Sequence, residues 1–357
     1  GLQIARGRAS DLADYLNQCD PPDRITRVAQ TGWHSAGGET YFVLPTQTIG
    51  APPNENVILN GDSARFGMCG NLDDWKDGVG RLVTGHSRGV FQTSASLAAP
   101  LLSKIGLEGG GFHFFGQSST GKSTWLQAAA CVWGRGDNNG LVRTWTATSN
   151  GLEVDAPLHN DLIFALDEVG VADARDVARA TYQLAAGQGK RRSTRDAKPR
   201  PTKTWTNTLL STGEVPIDGK VEVRGGRTMA GQTVRLVAIP ADAGQGVGAS
   251  DGPGSFDNPK DLADAIKQAA CTAYGTAGPA FVRAIIDEGV DEIAERLRQD
   301  MAVFREAVVP SRADGQVQRA ADRFAIVAAA GGLAAALDIV PWPPRHARSA
   351  AETCFHD

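Results

Sequence analysis

The run Gly116-Gln117-Ser118-Ser119-Thr120-Gly121-Lys122-Ser123-Thr124 fits GxxxxGK[ST] in full. Gly116 and Gly121 permit a tight backbone path and close approach of a ligand, and the residues between them present successive N–H groups. With the amino end of the helix that follows, those N–H groups from Ser118, Ser119, Thr120, Gly121 and Thr124 would cradle phosphate oxygens. Lys122 would neutralise the β- and γ-phosphates of ATP, and the Ser123 hydroxyl would ligate magnesium. Further on, Asp161-Leu-Ile-Phe-Ala-Leu-Asp167-Glu168 reads as an apolar strand ending in two carboxylates. Asp167 would hold the Mg2+ through water, and Glu168 would polarise the attacking water as general base. Taken alone, such a strand end is also an ordinary solvated terminus; the phosphate-loop pattern shifts the reading toward hydrolysis.

A third apolar stretch, Thr206-Asn-Thr-Leu-Leu-Ser211-Thr212-Gly213-Glu214, ends in hydroxyls. Either Ser211 or Thr212 would sense the γ-phosphate, with Thr212 the choice, or both would merely satisfy a turn. Between the second and third stretches, residues 187–204 carry Lys190, Arg191, Arg192, Arg195, Lys198, Arg200 and Lys203 against the lone Asp196. So concentrated a cationic run in a chain of net charge −4 suits phosphate contacts of nucleic acid, which are electrostatic and largely independent of sequence. The plainer reading is a solvated loop. Arg224, Arg227 and Arg235 follow, candidates for an arginine supplied to a neighbouring subunit's γ-phosphate, against a plainer role in surface ion pairs. Arg319 and Arg323 are candidates for an arginine reaching over the nucleotide from a helical lid.

These residues need positioning, and the hydropathy pattern supplies the elements. From 109 to 240, apolar strands at 111–115, 141–147, 162–166, 205–210 and 234–239 alternate with helical segments at 122–133, near 151 and at 175–186. That alternation predicts a mostly parallel α/β sheet. Before it, a polar helix at 9–17 precedes short strand-like runs such as 39–44, separated by Gly/Pro/Asn turns, and a helix is predicted over 92–105. After it, residues 242–258 (DAGQGVGASDGPGSFDN) read as a linker. Helical periodicity then covers 260–274, 279–307 and 314–339. The expected division is a β-rich accessory region at 1–100, an ATPase core at 101–243 and a helical lid region at 244–357.

Composition excludes several alternatives. The 357 residues, 41% hydrophobic and 21% charged, describe an ordinary globular chain of two or three units. Five scattered cysteines without a CxxC exclude a disulfide framework and a cysteine zinc cluster, and favour a reducing compartment. No run is apolar and long enough for a bilayer, and no secretory leader is visible. The expectation is a cytoplasmic location with no membrane.

With these motifs in order, the chain resembles an uncharacterised-domain family of plasmid-, phage- and cassette-borne helicases, related to MCM-like and superfamily III ring ATPases. The resemblance rests on residues 31–45, 111–134, 159–170, 209–214, 231–242 and 323–334, and covers most of the chain from about residue 25. It implies an AAA+-type P-loop core with strand order 5-1-4-3-2, a homo-oligomeric (hexameric) ring with shared ATP sites, and translocation on DNA during replication of a mobile element. It puts magnesium and nucleotide at Lys122, Ser123, Asp167 and Glu168, offers Arg227 and Arg235 as trans arginines, and implies a basic hairpin projecting into a central channel. Ser211/Thr212 stand where many ring helicases present an asparagine. Two other readings remain: an assembly ATPase that remodels a protein partner, and a nucleotide-binding module without turnover.

Overall fold

The computed structural model describes residues 8–19, 25–52, 56–59, 65–146, 149–190, 202–217 and 235–357. Arg191, Arg192, Arg195, Lys198, Arg200, Arg224 and Arg227 lie outside the described residues.

Helix α1 (Ala9–Gln18) precedes two small sheets. Strands β1 (Ile25–Val28) and β5 (Asn56–Leu59) pair in parallel, while β2 (Gly32–Ala36), β3 (Glu39–Leu44) and β4 (Gln47–Ile49) form an antiparallel meander. The β2–β3 turn is Gly37-Gly38 with φ of 61° and 88°, the left-handed pair that a two-residue hairpin turn needs.

The β character stops there. Helices α2 (Leu72–Trp75), α3 (Arg81–Val83), α4 (Ser87–Ala98) and α5 (Leu102–Ile105) follow before the strand at Gly110–Phe115. The single helix predicted for 92–105 is broken by a 3-10 turn at Ala99–Leu101 containing Pro100, which cannot donate in an unbroken ladder. Residues 88–98 of α4 are all buried.

The central sheet holds five parallel strands: β6 (Gly110–Phe115), β7 (Val142–Thr144), β8 (Ile163–Asp167), β9 (Thr208–Gly213) and β10 (Leu236–Pro240), in the order β10-β6-β9-β8-β7. Helices α6 (Lys122–Ala130), α7 (Ser149–Asp155) and α8 (Ala174–Ala186) provide the crossovers. Side chains alternate across the pleat. Phe112 and Phe114 face α4, where the Phe91 ring stands 4.8 Å from Phe112 and edge-on to it. On the other face, Phe164, Leu166 and Leu209 pack with Trp145, Val177 and Leu184. Both faces are covered, so the strands read as continuous apolar runs.

Five helices complete the chain: α9 (Pro259–Thr272), α10 (Ala277–Glu288), α11 (Val290–Val308), α12 (Gly315–Ala336) and α13 (Pro344–His356). The helix predicted for 279–307 is two, divided at Gly289 with φ 97°. Phe324 of α12 meets Phe112 at 5.1 Å and Phe91 at 5.4 Å, so the C-terminal helices pack onto α4 and the sheet. Buried Arg88 on α4 ties three elements together, donating to the carbonyls of Pro240 (3.1 Å) and Asp242 (2.9 Å) and to the Asp357 carboxylate (2.6 Å). Among the described residues, no helix is long and apolar enough to cross a membrane.

Candidate functional site

The loop at 116–121 leaves β6 and turns into α6. Gly116 (φ 156°), Ser119 (φ 61°) and Gly121 (φ 92°) bend it into a concave path, with Gly121 in the left-handed conformation at the mouth of the helix. The buried Lys122 side chain folds back over this loop. Its ammonium donates to the carbonyls of Gly116 (2.8 Å) and Gln117 (2.5 Å) and lies 3.4 Å from the Thr120 hydroxyl. Desolvation pushes the Lys122 pKa down, while the charges of Glu168, Glu214 and Asp167 push it back up. The acids that oppose the shift belong to the ends of β9, beside β6, and of β8, the next strand over.

At the end of β8, Asp167 Oδ1 accepts from the Ser123 hydroxyl at 2.9 Å and from the Thr212 hydroxyl. Thr212 in turn accepts from the backbone N–H of Glu168 at 3.2 Å. One hydroxyl therefore fixes both acids. Ser211 points to the opposite face, because adjacent strand residues alternate. There its oxygen accepts from Trp145 Nε1 at 2.9 Å and lies 2.9 Å from His113 Nδ1. His113 Nε2 donates to the Val215 carbonyl (3.0 Å), so in the neutral ring Nδ1 accepts from Ser211. Its hydroxyl proton is thereby committed away from the phosphate loop.

Glu168 itself is left-handed (φ 59°, ψ 70°), a conformation costing a non-glycine residue about 1 kcal/mol or more. It swings the side chain out of line with the strand. Gly170 accommodates it: a Cβ there would stand 2.6 Å from Glu168 Oε1. Gly213 plays a similar part for Val169, whose Cγ1 would be 2.3 Å from an added Cβ. Neither glycine stands out in the sequence, since only the fold brings these neighbours together.

Ser123 and Asp167 offer hard oxygen donors, and no group of three or more His, Cys, Asp or Glu that would hold a metal occurs among the described residues. That donor set fits Mg2+, which takes few protein ligands and completes its octahedron with phosphate oxygens and water. It does not fit zinc.

Residues 242–258 are not an open linker. Ala249 donates its N–H to the Thr120 carbonyl (2.8 Å) and accepts from Trp125 Nε1 of α6 (2.6 Å). Ala243 N–H closes a turn onto the Gly248 carbonyl at 2.8 Å. Gly248 has φ 78°, and a Cβ there would stand 2.6 Å from the Thr120 carbonyl oxygen. Asp251 accepts from the Ser87 N–H at 2.6 Å, and its own N–H donates to His86 Nδ1 at 3.2 Å. Glycine freedom here serves close approach, and the segment is a strap stitched to the phosphate loop.

Other predicted residues sit at the far end of the sheet. Thr204 bridges Gln188, closing a stem, and Lys190 just beyond it donates to Glu153 (3.1 Å, backbone) and Asn150 (2.8 Å, side chain) of α7. Arg235 precedes β10, whose Leu236 pairs with Gly111 and whose Pro240 pairs with Phe115. A five-residue strand therefore separates it from the phosphate loop, about 16 Å, and its guanidinium stacks on Tyr182, 5.1 Å from the ring centre. Within one chain it does not approach the loop. The lid expectation for Arg323 is corrected: its guanidinium donates to the carbonyls of Glu108 (3.5 Å) and Gly109 (3.1 Å), before β6 begins. Arg319, one turn earlier on α12, is at the same end.

The family model described as "Domain of unknown function (DUF927)" matches residues 1–204. Among solved structures, "SCCmec type IV Cch - active helicase" superposes with a TM-score of 0.72 at 22% identity, over 97% of this chain and 63% of that one. The chain thus spans about 63% of the length of that structure, and the likeness is one of fold. No curated protein matches the chain.

Proposed function

The chain belongs to the DUF927 family, and we propose on that premise that it is an ATP-driven DNA helicase or translocase that works as a homo-oligomeric ring in the replication of a mobile element. The observation that carries the reading is the convergence of Lys122, Ser123, Asp167, Glu168 and Thr212 at the ends of three adjacent strands. Counted from the phosphate-loop strand, the sheet runs fifth, first, fourth, third, second, which supports an AAA+-type core. The fold likeness to a protein described as an active helicase supports the class of motor.

In this reading, Lys122 exchanges the carbonyls of Gly116 and Gln117 for phosphate oxygens, and the loop N–H groups bind the rest of the triphosphate. Magnesium, held by Ser123 and Asp167, supplies charge neutralisation when bound. Glu168 accepts a proton from the attacking water, its backbone held by Thr212. Hydrolysis is transmitted to the basic segment from Lys190 to Lys198, which grips the DNA backbone. An arginine from a neighbour, Arg227 or Arg235, completes the site across a subunit boundary.

The test measures ATP turnover with and without single-stranded DNA, with particle mass followed by light scattering. DNA should stimulate turnover. Lys122→Ala should abolish nucleotide binding, and Glu168→Gln should lower kcat about 10²- to 10⁴-fold while retaining it. Turnover indifferent to DNA, with affinity unchanged on charge removal at Lys190, Arg191 and Arg192, would exclude the motor. A stable protein partner would then favour an assembly ATPase.

A further inference from the structure

The sheet end opposite the phosphate loop carries two adjoining clefts. The first, about 450 Å³, has walls of Leu102, Leu107, Phe112, Ile326 and Val327 and is edged by Arg235, Arg319 and Arg323. The second, about 560 Å³, reaches from Trp33 and Lys104 to Gly187, Thr204 and Trp205 at the root of the basic segment. Arg235 and Glu108 line both, so the two form one track.

We propose that this track seats a single strand of nucleic acid, with a base against the apolar wall of the first cleft and its phosphates on Arg319, Arg235 and Lys104. The proposal rests on the DNA reading above and names a surface for it beyond the basic segment. Three features favour this occupant. The first cleft falls within the size range of small-ligand sites, so it has room for one unstacked nucleotide. Its chemistry is split as a nucleotide's is, with arginines at the edge of an apolar wall. And the track is continuous with the stem from which the cationic run departs.

The acids along it are largely engaged. Asp322 pairs with Arg305 at 2.9 Å, and Asp161 is buried and bonded to Ser103. Glu108 faces the junction and opposes the cations there. Arg323 is fixed on two carbonyls. Burial lowers its pKa to about 10, which leaves it a cation at neutral pH. A paired duplex has no free base to offer the wall.

The experiment uses the full chain, a labelled twenty-nucleotide thymidine strand and anisotropy titrations across a salt series. Substituting both Lys104→Ala and Arg319→Ala should weaken binding at least tenfold. It should also reduce the salt slope by about 1.4, from about 0.7 per lost contact on a single strand. Turnover without DNA should not change. An abasic strand of equal charge should bind the unaltered chain more weakly than thymidine does. If Lys190→Ala with Lys203→Ala weakens binding while the cleft pair does not, the track is overturned and the motor reading stands. Equal affinity for thymidine and abasic strands overturns it as well. If neither set of substitutions matters, the strand binds elsewhere, and both the track and the grip of the basic segment are overturned.

Discussion

Substituting Asp161→Asn should make stability less dependent on pH, and the structure sets the size of the effect. Asp161 lies just before β8, at the end away from the acids. Its carboxylate accepts from Ser103 Oγ (2.6 Å), the Trp33 N–H (3.1 Å) and Asn160 Nδ2 (2.9 Å). Burial nevertheless dominates and raises its pKa from 3.8 to about 6, with those bonds and Lys104 acting the other way. The folded chain therefore binds this proton more tightly than the unfolded chain. Its stabilising effect is full below pH 3.8 and is lost as pH rises through about 6. Two pKa units correspond to about 3 kcal/mol, of which about 2 kcal/mol falls between pH 4.5 and 7.5. An asparagine oxygen can still accept from Trp33, and its amide can donate to Ser103, so the joint survives without a charge. Urea unfolding followed by tryptophan fluorescence should show the variant gaining about 2 kcal/mol on the unaltered chain between pH 4.5 and 7.5. A difference that stays constant across that range would refute the raised pKa.

Two further outcomes bear on the site. Gly170→Ala puts a methyl 2.6 Å from the present position of Glu168 Oε1. The flexible carboxylate should move aside, lowering kcat about 10- to 100-fold with ATP affinity and melting temperature nearly unchanged; unaltered turnover would show that Glu168 does not need its present place. Trp125→Phe removes the indole donor to the Ala249 carbonyl, leaving an acceptor unpaired at about 1–3 kcal/mol. Loosening the strap should raise KM for ATP while leaving kcat at saturation close to that of the unaltered chain. A lower melting temperature with KM unmoved would make the strap structural only.

The elements that carry the candidate residues were legible because their requirements are local. A glycine-bounded loop after an apolar strand, a run of buried residues ending in two acids, and a strand–helix alternation are each written in contiguous residues. Their physics is steric and periodic. Proline and glycine placed helix breaks at Pro100 and Gly289 that periodicity alone passed over. Ser211 and Thr212 are equivalent as text. Strand parity separates them, and that separation requires the sheet to exist with Asp167 on one face and His113 on the other. The strap had the composition of a linker because glycine-rich sequence is the same whether a chain crosses solvent or lies tight against a surface. Only the approach of Thr120 and Trp125, more than a hundred residues earlier, decides which. Arg323 likewise carries no sign of which end of a sheet its helix will cover, since the direction in which a helix packs is set by the aromatic cluster around Phe324. The sequence alone determined the local motifs and the strand–helix alternation of the central sheet. Tertiary structure decided which of them meet, because contacts between distant segments depend on the complementarity of whole surfaces.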